Sequence, residues 1–178
     1  GCSKGAADQY VRDYARIYGL KTIVFRQSCI YGYRQFGIED QGWVAWFTIA
    51  ALFDKQITIY GDGKQVRDVL FIDDLIKAYD LAVRNTDAYG GVYNIGGGPD
   101  LQLSLIELID LLENNYNKKL NINYSDWRPG DQPVFVCDIS KARSQLGWSP
   151  IVNVENGVNK LADLAANNKK LFLNYFNL

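Results

Sequence analysis

The residues best equipped for chemistry are two arginines far apart in the chain. Arg67 lies in Gln65-Val66-Arg67-Asp68 between strand-like runs, and Arg128 opens the loop Arg128-Pro129-Gly130-Asp131. A guanidinium is a planar fork that meets phosphate oxygens two at a time. Two such groups from separate loops carry the charge needed to clamp a diphosphate. The competing outcome is a pair of ordinary surface ion pairs, Arg67 with Asp68 and Arg128 with Asp131. A second set of polar groups lies between Tyr31 and Trp43. Arg34, Gln35 and Gln41 stand outside the apolar stripe of Trp43, Trp46 and Phe47, so they are candidates to line a sugar or base pocket, while Trp46 and Phe47 read as core. Near the start, Lys4 is the candidate catalytic group, although a lysine on a helix is ordinarily solvated.

Absent residues narrow the chemistry further. The chain has no histidine, which excludes Ser-His-Asp and Cys-His systems, HExxH zinc sites and imidazole bases within it. Proton transfer falls to carboxylates, lysine or tyrosine. Gly61-Asp62-Gly63 is followed by Lys64-Gln65-Val66, so no GxGxxG is completed, and no Lys-Ser/Thr follows Gly96 to Gly98. Both glycine runs read as turns rather than phosphate cradles.

The rest of the composition bounds the setting. A net charge of −1 argues against nucleic acid as a partner. No apolar run approaches about 18 residues, which argues against a membrane span. Three scattered cysteines, Cys2, Cys29 and Cys137, suit reduced thiols and a cytoplasmic setting. At 178 residues, 48% hydrophobic, the chain can bury one sizeable core. Methionine is absent and Gly1 leads straight into helix-like sequence, which reads as an internal or C-terminal piece of a longer protein.

These groups must be positioned by α/β winding. A helix is predicted from a Ser3 cap through Tyr10, Tyr14 and Tyr18 to Gly19. A buried strand follows over Lys21 to Arg26, and a second helix from Asp40 through Trp43, Trp46, Phe47 and Phe53. Strands are expected at Ile57 to Tyr60 and Val69 to Ile72 around the Gly61–Gly63 turn, then a helix capped by Asp73. A buried strand over Gly91 to Ile95 ends in the glycine run. Ser104 and Glu107 form a capping box opening a helix to about Tyr116. A strand over Leu120 to Tyr124, a short helix from Ile139 to Leu146 closed by Gly147, and a helix over Val154 to Ala166 complete a single compact, mixed α/β piece spanning residues 1–178.

The ordered series Gly1-Cys2-Ser3-Lys4-Gly5, Phe25-Arg26-Gln27-Ser28-Cys29-Ile30-Tyr31-Gly32, Ile59-Tyr60-Gly61-Asp62-Gly63-Lys64-Gln65-Val66-Arg67-Asp68, Tyr93-Asn94-Ile95-Gly96-Gly97-Gly98, Arg128-Pro129-Gly130-Asp131 and Leu146-Gly147-Trp148 resembles the C-terminal half of an extended short-chain dehydrogenase/reductase. Within that superfamily, Arg34 to Gly37 and Glu39 to Val44 most resemble the sugar-nucleotide epimerases that act at C2 of a CDP-deoxyhexose. The resemblance implies a Rossmann-type fold with a small mixed substrate-binding part, NAD as cofactor, and conversion of CDP-paratose to CDP-tyvelose within carbohydrate (lipopolysaccharide) biosynthesis. A sugar-nucleotide 4-epimerase or 4,6-dehydratase is the alternative in the same superfamily. A nucleotide-sugar-binding or interaction module is the non-enzymatic one.

It further implies that Lys4 is the lysine of a Tyr-x-x-x-Lys pair whose tyrosine would precede Gly1. Its ammonium would lower the tyrosine pKa and bind the nicotinamide ribose. Ser28, Cys29 and Ile30 map beside the nicotinamide. Arg34, Gln35, Gln41, Gly42, Trp43, Tyr60, Gln65, Arg67, Arg128 and Asp131 map to the nucleotide sugar. The NAD-binding half is expected upstream, and the full-length parent is expected to be a homo-oligomer. Without that half, this chain is expected to be inactive and, because of its open strand edge and apolar surface, either to self-associate or to be poorly soluble at high concentration.

Overall fold

A computed structural model describes residues 1–175. In chain order the elements are α1 (Cys2–Tyr18), β1 (Val24–Gln27), β2 (Cys29–Tyr31), α2 (Trp43–Leu52), β3 (Ile57–Tyr60), β4 (Val66–Phe71), α3 (Ile72–Arg84), β5 (Val92–Ile95), β6 (Gln102–Ser104), α4 (Leu105–Tyr116), β7 (Ile122–Ser125), β8 (Val134–Phe135), α5 (Ser140–Leu146), α6 (Val154–Asn167) and α7 (Lys169–Tyr175). Parallel pairing dominates: β1 with β5, β2 with β4, β3 with β7 and β8 with β4, while β6 alone runs antiparallel to β4.

Strand β4 organises the molecule. Its first half, Val66 to Asp68, pairs with β6 and β8, and its second half, Val69 to Phe71, pairs with β2. Alternation along the strand separates two cores. Val69 and Phe71 join Phe47 and Ile49 of α2, Leu108 and Leu112 of α4, and Val158 and Leu161 of α6. Leu70 turns the other way, toward Leu75 and Ala78 of α3, Tyr93 and Ile95 of β5, and Trp148. Asp74 ties the chain after α5 to this second core: its carboxylate accepts from the Ile151 and Val152 N–H groups at 3.1 and 3.0 Å, and its carbonyl accepts from Trp148 Nε1 at 2.8 Å.

Several predicted ends shift, each for a local reason. α1 begins at Cys2, after Gly1 and without a side-chain cap, so Ser3 sits inside its first turn, and Gly19 closes the helix in the left-handed region. α2 starts at Trp43 rather than Asp40, because Ile38 and Gln41 bridge to each other and Gly42 turns left-handed immediately before the helix. α3 starts at Ile72 with no side-chain cap, and Asp73 instead pairs with Lys160 at 3.3 Å. β4 starts three residues earlier than expected and ends at Phe71. The capping box is as read: Ser104 Oγ accepts from the Glu107 N–H at 3.2 Å, and the Glu107 carboxylate accepts from the Ser104 N–H at 2.7 Å.

α1 buries none of its residues. Tyr10, Tyr14, Ile17 and Tyr18 all face solvent. A 2.7 Å ion pair between Asp8 and Arg26 ties the helix to β1. Among the described residues, no helix is long and apolar enough to cross a membrane.

Candidate functional site

One end of the β3–β4 unit, the entry to α2 and the loop 126–131 enclose a cleft of about 340 Å³. The turn joining β3 to β4 demands glycine. Gly61 and Gly63 both have φ near +90° or +80° (92° and 77°), and a Cβ on Gly61 would stand 2.6 Å from the Trp127 ring. That tight turn brings Tyr60, Gln65 and Arg67 onto one wall. Glu39 to Trp43 and Arg128 to Asp131 complete the lining.

Both arginines reach this cleft, and their carboxylate partners differ from those of the simple spacing argument. Arg67 pairs with Asp131 at 2.7 Å rather than with Asp68. Arg128 pairs with Asp40 at 3.0 Å rather than with Asp131, and its guanidinium lies 3.9 Å over the Tyr60 ring. The first neighbouring pair fails because Asp68 faces inward and is fully buried, and in place of the second Asp131 is taken by Arg67. The Tyr60 hydroxyl donates to Glu39 at 2.6 Å. Gln65 is 2% exposed; its amide donates to the Tyr60 carbonyl and, at 3.4 Å, to Asp131, while its Oε1 has no protein partner. At the rim, α2 opens at Gly42 with no side-chain cap, leaving first-turn N–H groups available to an acceptor.

The candidates therefore divide. Gln41, Gly42, Trp43, Tyr60, Gln65, Arg67, Arg128 and Asp131 line one cleft. Arg34 and Gln35 do not: Arg34 is an exposed residue at φ 59°, and the Gln35 amide turns back to the Ile30 carbonyl at 3.3 Å. Lys4 lies on the exposed face of α1. Ser28 follows β1 and Cys29 and Ile30 open β2, where the pairing partner changes from β5 to β4. Of the two expected core residues, Phe47 is buried and Trp46 half-buried, while the site candidate Trp43 is half-buried on the cleft wall. Glu39, Asp40, Thr58 and Leu105 also line the cleft and were not singled out by the sequence. For Glu39 and Asp40 the available signal was two acids directly before a helix that opens on a glycine.

Behind the cleft wall, Asp68 gathers three donors: Ser28 Oγ at 2.5 Å, Cys137 Sγ at 2.9 Å and the Gly98 N–H at 3.0 Å. Ser28 also spends its N–H on the Ile95 carbonyl. Its side chain thus ties the end of β1 to β4. Cys29 Sγ accepts from Trp43 Nε1 at 3.1 Å, joining β2 to the cleft wall.

Both inner thiols resist ionisation. Burial raises Cys29 from the usual 9.0 to about 11, with the Trp43 N–H pulling the other way. Burial, then donation to Asp68, raises Cys137 to about 12. Each holds its proton more tightly folded than unfolded, so this contribution to stability is intact below about pH 9 and is lost as the pH rises toward 11 to 12. At pH 8 a thiol reagent should label only the exposed Cys2 in the native protein and all three cysteines in denaturant. Native labelling of two thiols would contradict this packing.

The mixed sheet, the two cores and the arginine-lined cleft define a Rossmann-type α/β protein of the extended short-chain dehydrogenase/reductase class. The sequence pattern of the NAD dependent epimerase/dehydratase family matches residues 1–96, and the chain belongs to that family. It is 49% identical over 169 residues to CDP-paratose 2-epimerase of Salmonella typhi, covering 92% of this chain and 50% of that protein. It is 32% identical over 167 residues to dTDP-glucose 4,6-dehydratase of Salmonella typhimurium, covering 90% and 45%. Among solved structures, UDP-glucose 4-epimerase from Thermotoga maritima with UDP-glucose superposes with a TM-score of 0.86 at 32% identity, covering 95% of this chain and 53% of that one. UDP-glucuronic acid 4-epimerase from Bacillus cereus, in complex with UDP-glucuronic acid and NAD, gives 0.80 at 30% identity, covering 90% and 50%. The chain spans about half the length of the relatives it matches.

Proposed function

We propose that this chain is the nucleotide-sugar-holding part of an NAD-dependent epimerase that converts CDP-paratose to CDP-tyvelose at C2. The observation that carries the reading is the convergence of Arg67 and Arg128 on one cleft. The choice of a CDP-sugar is supported by the 49% identical relative. In this reading the two guanidiniums take the diphosphate and Asp131 accepts from a ribose hydroxyl, while Gln65, donating to Asp131 and to the Tyr60 carbonyl, holds that wall in position. Tyr60 offers its ring to the base, and the start of α2 at Gln41 to Trp43 presents N–H groups to the anion.

NAD, when bound, supplies a reversible hydride acceptor. The residues here suit only part of its site. The Gly61–Gly63 and Gly96–Gly98 turns are filled by Trp127, Ile106, Asp68 and Ile139, so neither is open to a pyrophosphate. Lys4, exposed on α1, would bind a ribose hydroxyl and favour the ionised form of a neighbouring tyrosine. Ser28, Cys29 and Ile30 would set the position of the wall beside the ring.

The test uses the full-length protein. Denaturation should release NAD, and incubation with CDP-paratose should yield CDP-tyvelose. Turnover of dTDP-glucose with loss of water would favour the dehydratase reading, to which the 32% identical relative points. Absence of NAD together with no turnover would overturn both.

A further inference from the structure

We infer that Glu39 selects the base of the bound nucleotide, favouring cytosine over uracil by accepting a hydrogen bond from the exocyclic amine. The inference rests on the nucleotide-sugar reading of the cleft. Tyr60 gives the cleft a flat aromatic face, and a planar group already lies on it: the Arg128 guanidinium at 3.9 Å from the ring centre. That guanidinium is held elsewhere only by Asp40 and the Glu39 carbonyl, at 3.0 and 3.3 Å, both at exposed positions. Such contacts are weak, so an arriving diphosphate can draw the cation off the ring and leave the face to a pyrimidine.

The hydroxyl end of that face is acidic. Glu39 Oε1 accepts from Tyr60 Oη at 2.6 Å, which fixes the carboxylate at the ring edge, and Asp40 follows it in the chain. An ionised carboxylate only accepts hydrogen bonds. Cytosine carries an amine, a donor, where uracil carries a carbonyl, an acceptor. A base stacked on Tyr60 with that edge toward Glu39 therefore gains a charge-assisted bond if it is cytosine. If it is uracil, it sets two acceptors against each other. A site built around one polar group discriminates more sharply than one built on shape.

The competing role for Glu39 is purely mechanical: through Tyr60 it could do no more than hold the loop before α2 against β3. Calorimetric titration of the full-length protein with CDP and with UDP separates the two roles. The unsubstituted protein should prefer CDP by about tenfold. Glu39→Gln keeps a carbonyl for the Tyr60 hydroxyl and adds an amine that can donate to uracil, so its preference should vanish or reverse while the thermal midpoint stays unchanged. Equal weakening of CDP and UDP in Glu39→Gln would make Glu39 a loop anchor and overturn the inference, leaving the cleft reading intact. No preference in the unsubstituted protein would overturn it too. Failure of both nucleotides to bind would overturn the cleft reading itself.

Discussion

Alanine at position 96 should lower the thermal midpoint by roughly 10 °C. Its Cβ would collide with Asp68 Oδ2 and lie 2.5 Å from Cys137 Sγ and 2.7 Å from Ser28 Cβ. None of these can step aside cheaply. The Asp68 carboxylate is fixed by Ser28 Oγ, Cys137 Sγ and the Gly98 N–H, and moving it leaves those donors unpaired in a dry interior. Overpacking combined with lost bonds to a carboxylate costs about 3–4 kcal/mol. At about 3 °C per kcal/mol for a chain of this size, that gives the stated shift. Asp68→Asn tests the same cluster from its centre: the amide oxygen can keep the Gly98 N–H, but the amide nitrogen obliges the Ser28 hydroxyl to turn and accept, and every bond to the carboxylate loses its charge, so a loss of about 2 kcal/mol is expected. Thermal unfolding followed by circular dichroism reads both. A Gly96→Ala midpoint within about 2 °C of the unsubstituted protein would mean that Asp68 is held loosely.

The same cluster shows where sequence reading runs out. Local chemistry was legible: Gly19 and Gly147 close helices in the left-handed region, and Ser104 with Glu107 makes a capping box. Those features are decided by residues a turn apart. A strand starting at Val69 leaves Asp68 outside it, as a surface partner for Arg67. Once β4 is extended back to Val66, alternation puts Asp68 on the face of Leu70, inside the molecule. β6 and β8, of three and two residues, are too short to show any period and exist because β4 offers both edges. The cleft was legible as residue types and loop positions. Its resident ion pairs were not, since Arg128 and Asp40 are 88 residues apart and meet only through the tertiary fold.

Those ion pairs set the size of the second large effect. Arg67→Ala should weaken CDP binding by about 100-fold, and Arg128→Ala by about tenfold, with charged hydrogen bonds each contributing about 1.5–3 kcal/mol. The order follows from burial. The Arg67–Asp131 pair has side-chain exposures of 20% and 27%, whereas the Arg128–Asp40 pair has 35% and 82%. Removing Arg67 therefore leaves Asp131 as a half-buried bare carboxylate facing the diphosphate, adding repulsion to the lost contact. Removing Arg128 leaves Asp40 in water, where screening blunts its charge. Arg67→Lys should recover little, because an ammonium cannot reproduce a two-pronged contact. Asp40→Asn should go the other way: it frees Arg128 from a competitor and should tighten CDP by a few-fold, most visibly at low salt. Equal effects of the two alanine variants, or weaker binding in Asp40→Asn, would mean that the phosphates do not displace these carboxylates. Arg67 would then serve to hold the loop after β7 against β4, and Arg128 to hold it against the segment before α2, and the diphosphate would have to be bound elsewhere.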